Sequence, residues 1–436
     1  MGQLRFGTDG VRGRALTELT TEYVASLGRA AAEVMGSGDW LIGRDTRESG
    51  PMLEDALTDG LAAGGAVPLH AAILPTPALA YLSALHGVPA AMITASHNPW
   101  QDNGVKIFAP GGLKLSDATE RAIEASMRAR VDVSMQSNRA HTVTTAPYRD
   151  YLVDTIGPQG LGGLRIVVDC AHGAMFEAAP EVIRRLGADV IVINAEPNGR
   201  NINDHCGATH PAALSGAVVA NGVDLGLAFD GDGDRVIAVD HHGNVVDGDR
   251  MIALAALQLR DEGQLTDDTV VVTVMSNLGF HKSMDAAGIK VITTPVGDRS
   301  VLEALDAGDY AIGGEQSGHI VYRHLATTGD GLLAGLRLAA YVRNRGQSLA
   351  DLAGAVMSSY PQVLVNVKVA HRHPNVDVEL APEIAAALES LDGEGRILVR
   401  PSGTEPLIRV MVEAATQPLA QATADKLSDV VMARFG

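Results

Sequence analysis

Three aspartates alternate with glycines in "FDGDGDRV" (229–236), at the end of the apolar run "DLGLAF". Glycine spacers permit a tight turn without Cβ clashes, so Asp230, Asp232 and Asp234 can converge. Convergent carboxylates repel one another unless a hard cation lies among them, and oxygen ligands suit Mg2+ or Ca2+. An EF-hand needs Gly at its sixth position and Glu at its twelfth. Counted from Asp230, these are Arg235 and His241, which excludes it. The plain alternative is a solvated acidic turn. Arg235, adjoining the triplet, suits a group that steers a phosphate beside a metal.

Three other loops carry chemistry. In "ITASHNPWQDNGVKI" (93–107) an apolar run ends in Ser96-His97-Asn98-Pro99, with Lys106 a few residues on. A serine beside a histidine reads as a nucleophile with its base, a phosphate carrier, or turn chemistry. In "VRPSGTEPLIRV" (399–410), Arg400 and Arg409 supply forked donors and Ser402 and Thr404 supply hydroxyls. Gly403 lets backbone amides approach an anion there. The alternative is a hairpin turn with two incidental arginines, and no Walker lysine spacing exists in the chain. In "GGEQSGHI" (313–320), Glu315, Ser317 and His319 alternate, so an extended backbone would aim them along one face. Such a face can hydrogen-bond sugar hydroxyls or an amine. Glu315 stands where a nucleophile elbow needs its first glycine, so Ser317 is not an elbow serine.

The elements that must position these loops repeat loosely. Residues 40–70, 165–194 and 269–297 each read as strand, polar turn, helix, glycine, strand. Each opens on a β-branched or apolar run and leaves through a glycine and a small or apolar residue into a valine: Gly-Ala-Val at 65–67, Gly-Ala-x-Val at 187–190 and Gly-Ile-x-Val at 288–291. That is the grammar of a βαβ unit on a buried parallel sheet, and three such units predict three related α/β domains. The last segment differs: "QVLVNVKVA" alternates like a strand, "PEIAAALESL" reads as a helix, and "RILVRPSGTEPLIRVMVEAAT" as two strands around a sharp loop. It predicts a smaller α+β domain.

Composition bounds the function. The 436 residues allow several domains, and a net charge of −18 argues against a nucleic-acid or anionic-membrane surface. An anionic ligand must then be met by a local cluster of cations. Two cysteines, Cys170 and Cys206, make neither a disulfide framework nor a metal spacing. No run reaches the ~18 apolar residues of a membrane span, and a signal-peptide pattern is absent. Phe6 breaks the pattern for myristoylation. A cytoplasmic enzyme is expected.

Taken in order, "FGTDGVRG" (6–13), "TASHNP", "DGDGDR", "GEQSGH" and "RPSGTEPLIR" resemble the α-D-phosphohexomutase superfamily, across nearly the whole chain. The first and fourth wordings are similar to its amino-sugar branch, and Gln316 favours an amino sugar on the same ground. The resemblance implies an α/β protein of four domains around a central cleft, three related with mixed sheets plus a smaller C-terminal α+β domain. The expected division is 1–155, 156–250, 251–365 and 366–436. It implies a mutase in which Ser96 carries a phosphoryl group, with a bound hexose 1,6-bisphosphate intermediate. Mg2+ would sit on Asp230, Asp232, Asp234 and the Ser96 phosphate, while Arg235, Glu315 and Ser317 meet the substrate. Arg400, Ser402, Gly403, Thr404 and Arg409 would clamp the non-reacting phosphate. Lys106, Arg12 and His319 are the acid/base candidates; Lys106 is favoured, with clustered cations expected to lower its pKa. His97 becomes a turn residue. Ser300, in "VGDRSV", stands where an aromatic residue is expected. The expected partners are a hexosamine phosphate and a hexose 1,6-bisphosphate activator, with no nucleic acid and no membrane, and a homodimer is carried as a further expectation. Rival readings are a phosphomannomutase or phosphoglucomutase, a metal-dependent phosphatase, and a non-catalytic sugar-phosphate binder. The phosphatase would not need the distant arginine loop.

Overall fold

In the computed structural model, which describes residues 4–7, 9–127, 142–402 and 406–436, the β-branched runs form strands of four separate sheets. The first three sheets share a core plan. In the first, Asp39–Arg44 lies between Val67–Ile73 and Ala90–Ile93, all parallel, and Asp102–Ala109 then returns antiparallel. In the second, Arg165–Asp169 lies between Asp189–Ile193 and Leu225–Phe229, and Val236–Asp240 returns antiparallel. In the third, Thr269–Thr273 lies between Lys290–Thr294 and Ile312–Gly314, with Ile320–Tyr322 antiparallel. The three-domain reading and the mixed sheets are thus observed. The strand patterns alone suggested a parallel sheet; the closing antiparallel strand follows because a short connection can only reverse the chain.

That reversing connection is the same one in each sheet. It carries Ser96 in the first, the aspartate triplet in the second, and Glu315, Ser317 and His319 in the third. The strands leading into it, Ala90–Ile93, Leu225–Phe229 and Ile312–Gly314, are buried throughout. Buried strands fix both backbone ends of each connection and so aim its side chains.

Helices are set by ordinary signals. Thr20, Asp247 and Asp330 cap Thr21–Met35, Gly248–Asp261 and Gly331–Arg345 by accepting from Tyr23, Arg250 and Leu333 backbone N–H groups. Gly222 ends Ala212–Asn221 in the left-handed region.

The chain divides into two compact units, 1–275 with 289–356, and 276–288 with 357–436. The first holds the three related sheets. The second has an antiparallel sheet in the order Gln362–Lys368, Leu407–Ala414, Gly395–Pro401, with Gln417–Phe435 packed on it. Helix Leu278–Ala286, read from sequence as part of the third repeat, falls in this second unit. Buried Glu413 accepts from Asn277 Nδ2, the Leu278 N–H and both forks of Arg396.

Candidate active site

Ser96 is fully buried and its backbone lies in the left-handed region, at φ 51°. Its N–H donates to Thr94 Oγ1 at 2.9 Å. Its hydroxyl donates to Asp230 Oδ2 at 2.7 Å and lies 3.3 Å from His97 Nδ1. Burial, with the charges of Arg235 and Arg12, pushes the His97 imidazole down to about 4. The neighbouring histidine therefore touches the serine as a neutral ring, while the shorter bond goes to a carboxylate from the second sheet.

Asp230, Asp232 and Asp234 offer oxygens that all lie within 4.8 Å of one another. Gly231 and Gly233 make this turn. A Cβ at Gly231 would come within 2.7 Å of the Ser96 carbonyl, and Gly233 has φ +74°. Burial and the charges of Asp234 and Asp232 hold the Asp230 carboxyl well above its ordinary range. For Asp234 burial acts the same way, but Lys106, His319 and Arg235 outweigh it and hold the carboxyl well below that range. Asp232 Oδ2 accepts from Thr76 Oγ1 at 2.6 Å. Among the described residues, Asp232 Oδ1 and Asp234 Oδ1 are buried without a hydrogen-bond partner. Unpartnered buried carboxylate oxygens are costly. Two of them in an all-oxygen group fit a hard divalent cation.

Lys106 lies beside the triplet, but in surroundings of the opposite charge to those expected. Its ammonium is surrounded by carboxylates, 2.8 Å from Asp9 Oδ2, 2.8 Å from Asp232 Oδ2 and 2.9 Å from Asp234 Oδ2. Burial alone would lower its pKa, but Asp232, Asp234 and Asp9 reverse this and raise it well above the ordinary value. The anticipated cation cluster is replaced by an anion cluster. Asp9, in the "FGTDGVRG" stretch, was not singled out from sequence. It joins Lys106, Lys114 and Arg12.

A cavity of about 390 Å³ opens beside these groups. Arg5, Arg12 and Arg235 line it, together with His97, His319 and Glu315. Arg12 donates to Asp9 at 2.7 Å, and the Nε groups of Arg12 and Arg235 are buried with no hydrogen-bond partner among the described residues. Guanidinium groups facing a cavity in this state suit an anionic ligand. Glu315 accepts from the Gly297 N–H at 3.0 Å and from Ser317 Oγ at 3.3 Å. Buried His319 places Nδ1 3.7 Å from Asp234 Oδ1, and that carboxylate raises its pKa against the effect of burial. Gln316 donates Nε2 to Asp247, the cap of Gly248–Asp261. Ser300 lies in helix Asp298–Gly308, whose first residues pair with the first sheet's segment: Asp298 with Lys114, and Arg299 with Asp117 and Glu120.

In the second unit, Arg400 and Arg409 are direct cross-strand partners. Like charges in that position repel. Burial and Arg409 both lower the Arg400 pKa. Ser402 donates its N–H to Leu407 at 2.9 Å. Gly403 and Thr404 lie outside the described residues.

Four profiles described as phosphoglucomutase/phosphomannomutase domains match the chain. The alpha/beta/alpha domain I profile covers residues 3–132, domain II 146–243, domain III 247–360 and the C-terminal domain 364–430. The chain belongs to this family of phosphohexomutases. Within it the chain is 51% identical to the phosphoglucosamine mutase of Rhodococcus opacus, over 99% of both chains. It is 50% identical to that of Mycobacterium ulcerans, over 99% of this chain and 100% of the relative. The fold is shared with a phosphoglucomutase/phosphomannomutase family protein of Burkholderia thailandensis, at TM-score 0.81, 23% identity and coverage of 99% and 98%. It is also shared with Aspergillus fumigatus N-acetylphosphoglucosamine mutase in complex with GlcNAc-6P and magnesium, at TM-score 0.72, 20% identity and coverage of 100% and 96%.

Proposed function

We infer that this chain is an isomerase interconverting glucosamine 6-phosphate and glucosamine 1-phosphate, the reaction its half-identical relatives are named for. Supporting it is one observation above the rest: the Ser96 hydroxyl is buried against an aspartate triplet beside a cavity lined with arginines.

In the proposed course Ser96 Oγ starts as a phosphoserine, first loaded by a hexose 1,6-bisphosphate. The sugar's O1 attacks the phosphorus, its proton is taken up, and the bond to Ser96 Oγ breaks, leaving a bound 1,6-bisphosphate. After the sugar turns over, Ser96 Oγ attacks the 6-phosphate, O6 recovers a proton, and glucosamine 1-phosphate leaves. Phosphoryl transfer depends on positioning and charge neutralisation. Arg12 and Arg235 meet phosphate oxygens, and Glu315 and Ser317 meet sugar hydroxyls in both orientations. Lys106, Arg12 and His319 are the groups proposed to move the proton. The non-reacting phosphate needs a binding site of its own, and Arg400, Ser402, Gly403, Thr404 and Arg409 are proposed to supply it. Asp230, Asp232, Asp234 and an oxygen on Ser96 would hold Mg2+, which when bound offsets charge on the transferring group. A four-part division at 155, 250 and 365, a homodimer and a cytoplasmic setting go with this proposed function. No helix among the described residues is long and apolar enough to cross a membrane.

Phosphorus NMR tests the reading. With Mg2+, a trace of glucose 1,6-bisphosphate and glucosamine 6-phosphate, the signal of glucosamine 1-phosphate should grow faster than 1-phosphates from parallel glucose and mannose phosphates. The Ser96→Ala variant should lose at least ~10³-fold in rate, because the phosphoryl carrier is gone. Free phosphate as the main product would overturn the reading in favour of a phosphatase.

A further inference from the structure

Arg47 follows the first central strand in "GRDTRES" and lies outside the four loops that carry the candidate site residues. Its side chain and that of Asp45 are completely buried and paired at 2.9 Å. A guanidinium has five N–H donors, and here each has a partner. Nε goes to Asp45, Nη1 to the carbonyls of Pro99 and Asp102, and Nη2 to those of Ser96 and Asn98, both at 2.8 Å. Four of the five donors therefore hold carbonyls of the connection that carries Ser96 and of Asp102, the first residue of the strand after it.

The ion pair also holds the other end of the serine's backbone. Asp45 Oδ2 accepts from Thr94 Oγ1 at 2.7 Å, and Thr94 Oγ1 accepts from the Ser96 N–H at 2.9 Å. Both polar backbone groups of Ser96 thus end on one buried pair, across a left-handed conformation that is uncommon for a residue with a Cβ. From the second sheet's side, Asn203 Nδ2 donates to the same carbonyls, Ser96 at 2.9 Å and Asn98 at 3.2 Å. None of Asp45, Arg47 and Asn203 lines the cavity.

We propose that the Asp45–Arg47 pair, seconded by Asn203, is a positioning device. It draws the loop carbonyls inward and aims Ser96 Oγ at the carboxylates, setting the rate of phosphoryl transfer without touching the sugar phosphate. The inference rests on Ser96 being the phosphoryl carrier. Lysine keeps the charge at position 47 but has three rotatable donors and no planar fork, so it cannot hold four carbonyls.

The test compares wild type with Arg47→Lys and Asn203→Ala. It measures kcat and KM for glucosamine 6-phosphate, and Ser96 phosphorylation by intact mass after incubation with glucose 1,6-bisphosphate and Mg2+. Misplacing a reacting atom by an ångström costs ~10²-fold, so kcat of Arg47→Lys should fall by that order while KM stays within about twofold. Asn203→Ala should lose about tenfold in kcat in the same pattern, and it decides alone if Arg47→Lys does not fold. Unchanged kcat in the folded variants, or a rise in KM that accounts for the loss, overturns the inference. Wild type that takes no phosphoryl group on Ser96 sinks the underlying reading instead, a result the mass separates from the first.

Discussion

Lys106 holds together an arrangement that electrostatics alone would scatter. Its ammonium contacts three carboxylates, two of them from the triplet. Removing one partner of a buried charge pair costs about 3–5 kcal/mol, because the other charge is left uncompensated. Lys106→Ala should therefore melt well below wild type in EDTA, and Mg2+ should narrow the gap by taking over part of the neutralisation; differential scanning fluorimetry would show both. A gap that Mg2+ leaves untouched would mean the triplet does not bind the ion. The sequence displayed the triplet because its members are neighbours in the chain with glycines between them. The surroundings of Lys106 were hidden, since Asp9 and the triplet reach it from distant segments and nothing local marks their approach. Arg47 and Asn203 were hidden for the same reason: their partners are backbone carbonyls, which have no sequence signature.

At the scale of elements, helix Gly331–Arg345 begins on Asp330, whose buried carboxylate accepts from the Leu333 N–H and from Tyr148 Oη. Burial pushes this carboxyl up to about 6, against the opposing effect of those hydrogen bonds. The folded state then holds the proton more tightly than the unfolded chain. Stability from this group is present at low pH and is lost as pH rises from about 4 through about 6. Asp330→Asn keeps the cap and removes the titration. The wild type should lose up to about 3 kcal/mol relative to this variant between pH 4 and pH 7, measured by denaturant titration at each pH. Parallel curves would show that the carboxyl titrates normally. The strands around such helices were legible because fully buried runs are apolar end to end. The place of Leu278–Ala286 was not, because helical periodicity reports an apolar face and not the sheet that covers it.

At the scale of the whole molecule, the two units have separate apolar cores, and the candidate metal group lies in the larger one. Both tryptophans, Trp40 and Trp100, belong to that larger unit. A ligand stabilises only the fold that binds it. Mg2+ should therefore raise the melting temperature read by tryptophan fluorescence, while a second calorimetric transition, from the smaller unit, should stay where it is. One cooperative transition shifting as a whole would show that the units unfold together. The reversing connection after the third parallel strand carries a different kind of group in each of the three sheets: a hydroxyl, a triplet of carboxylates, and a face of glutamate, serine and histidine. The scaffold is thus a common chassis, and the identity of each copy resides in a handful of residues at one address. On the proposed function, damage at any one address would remove an entire chemical task, not a third of the output, so the three copies give the molecule repetition without redundancy.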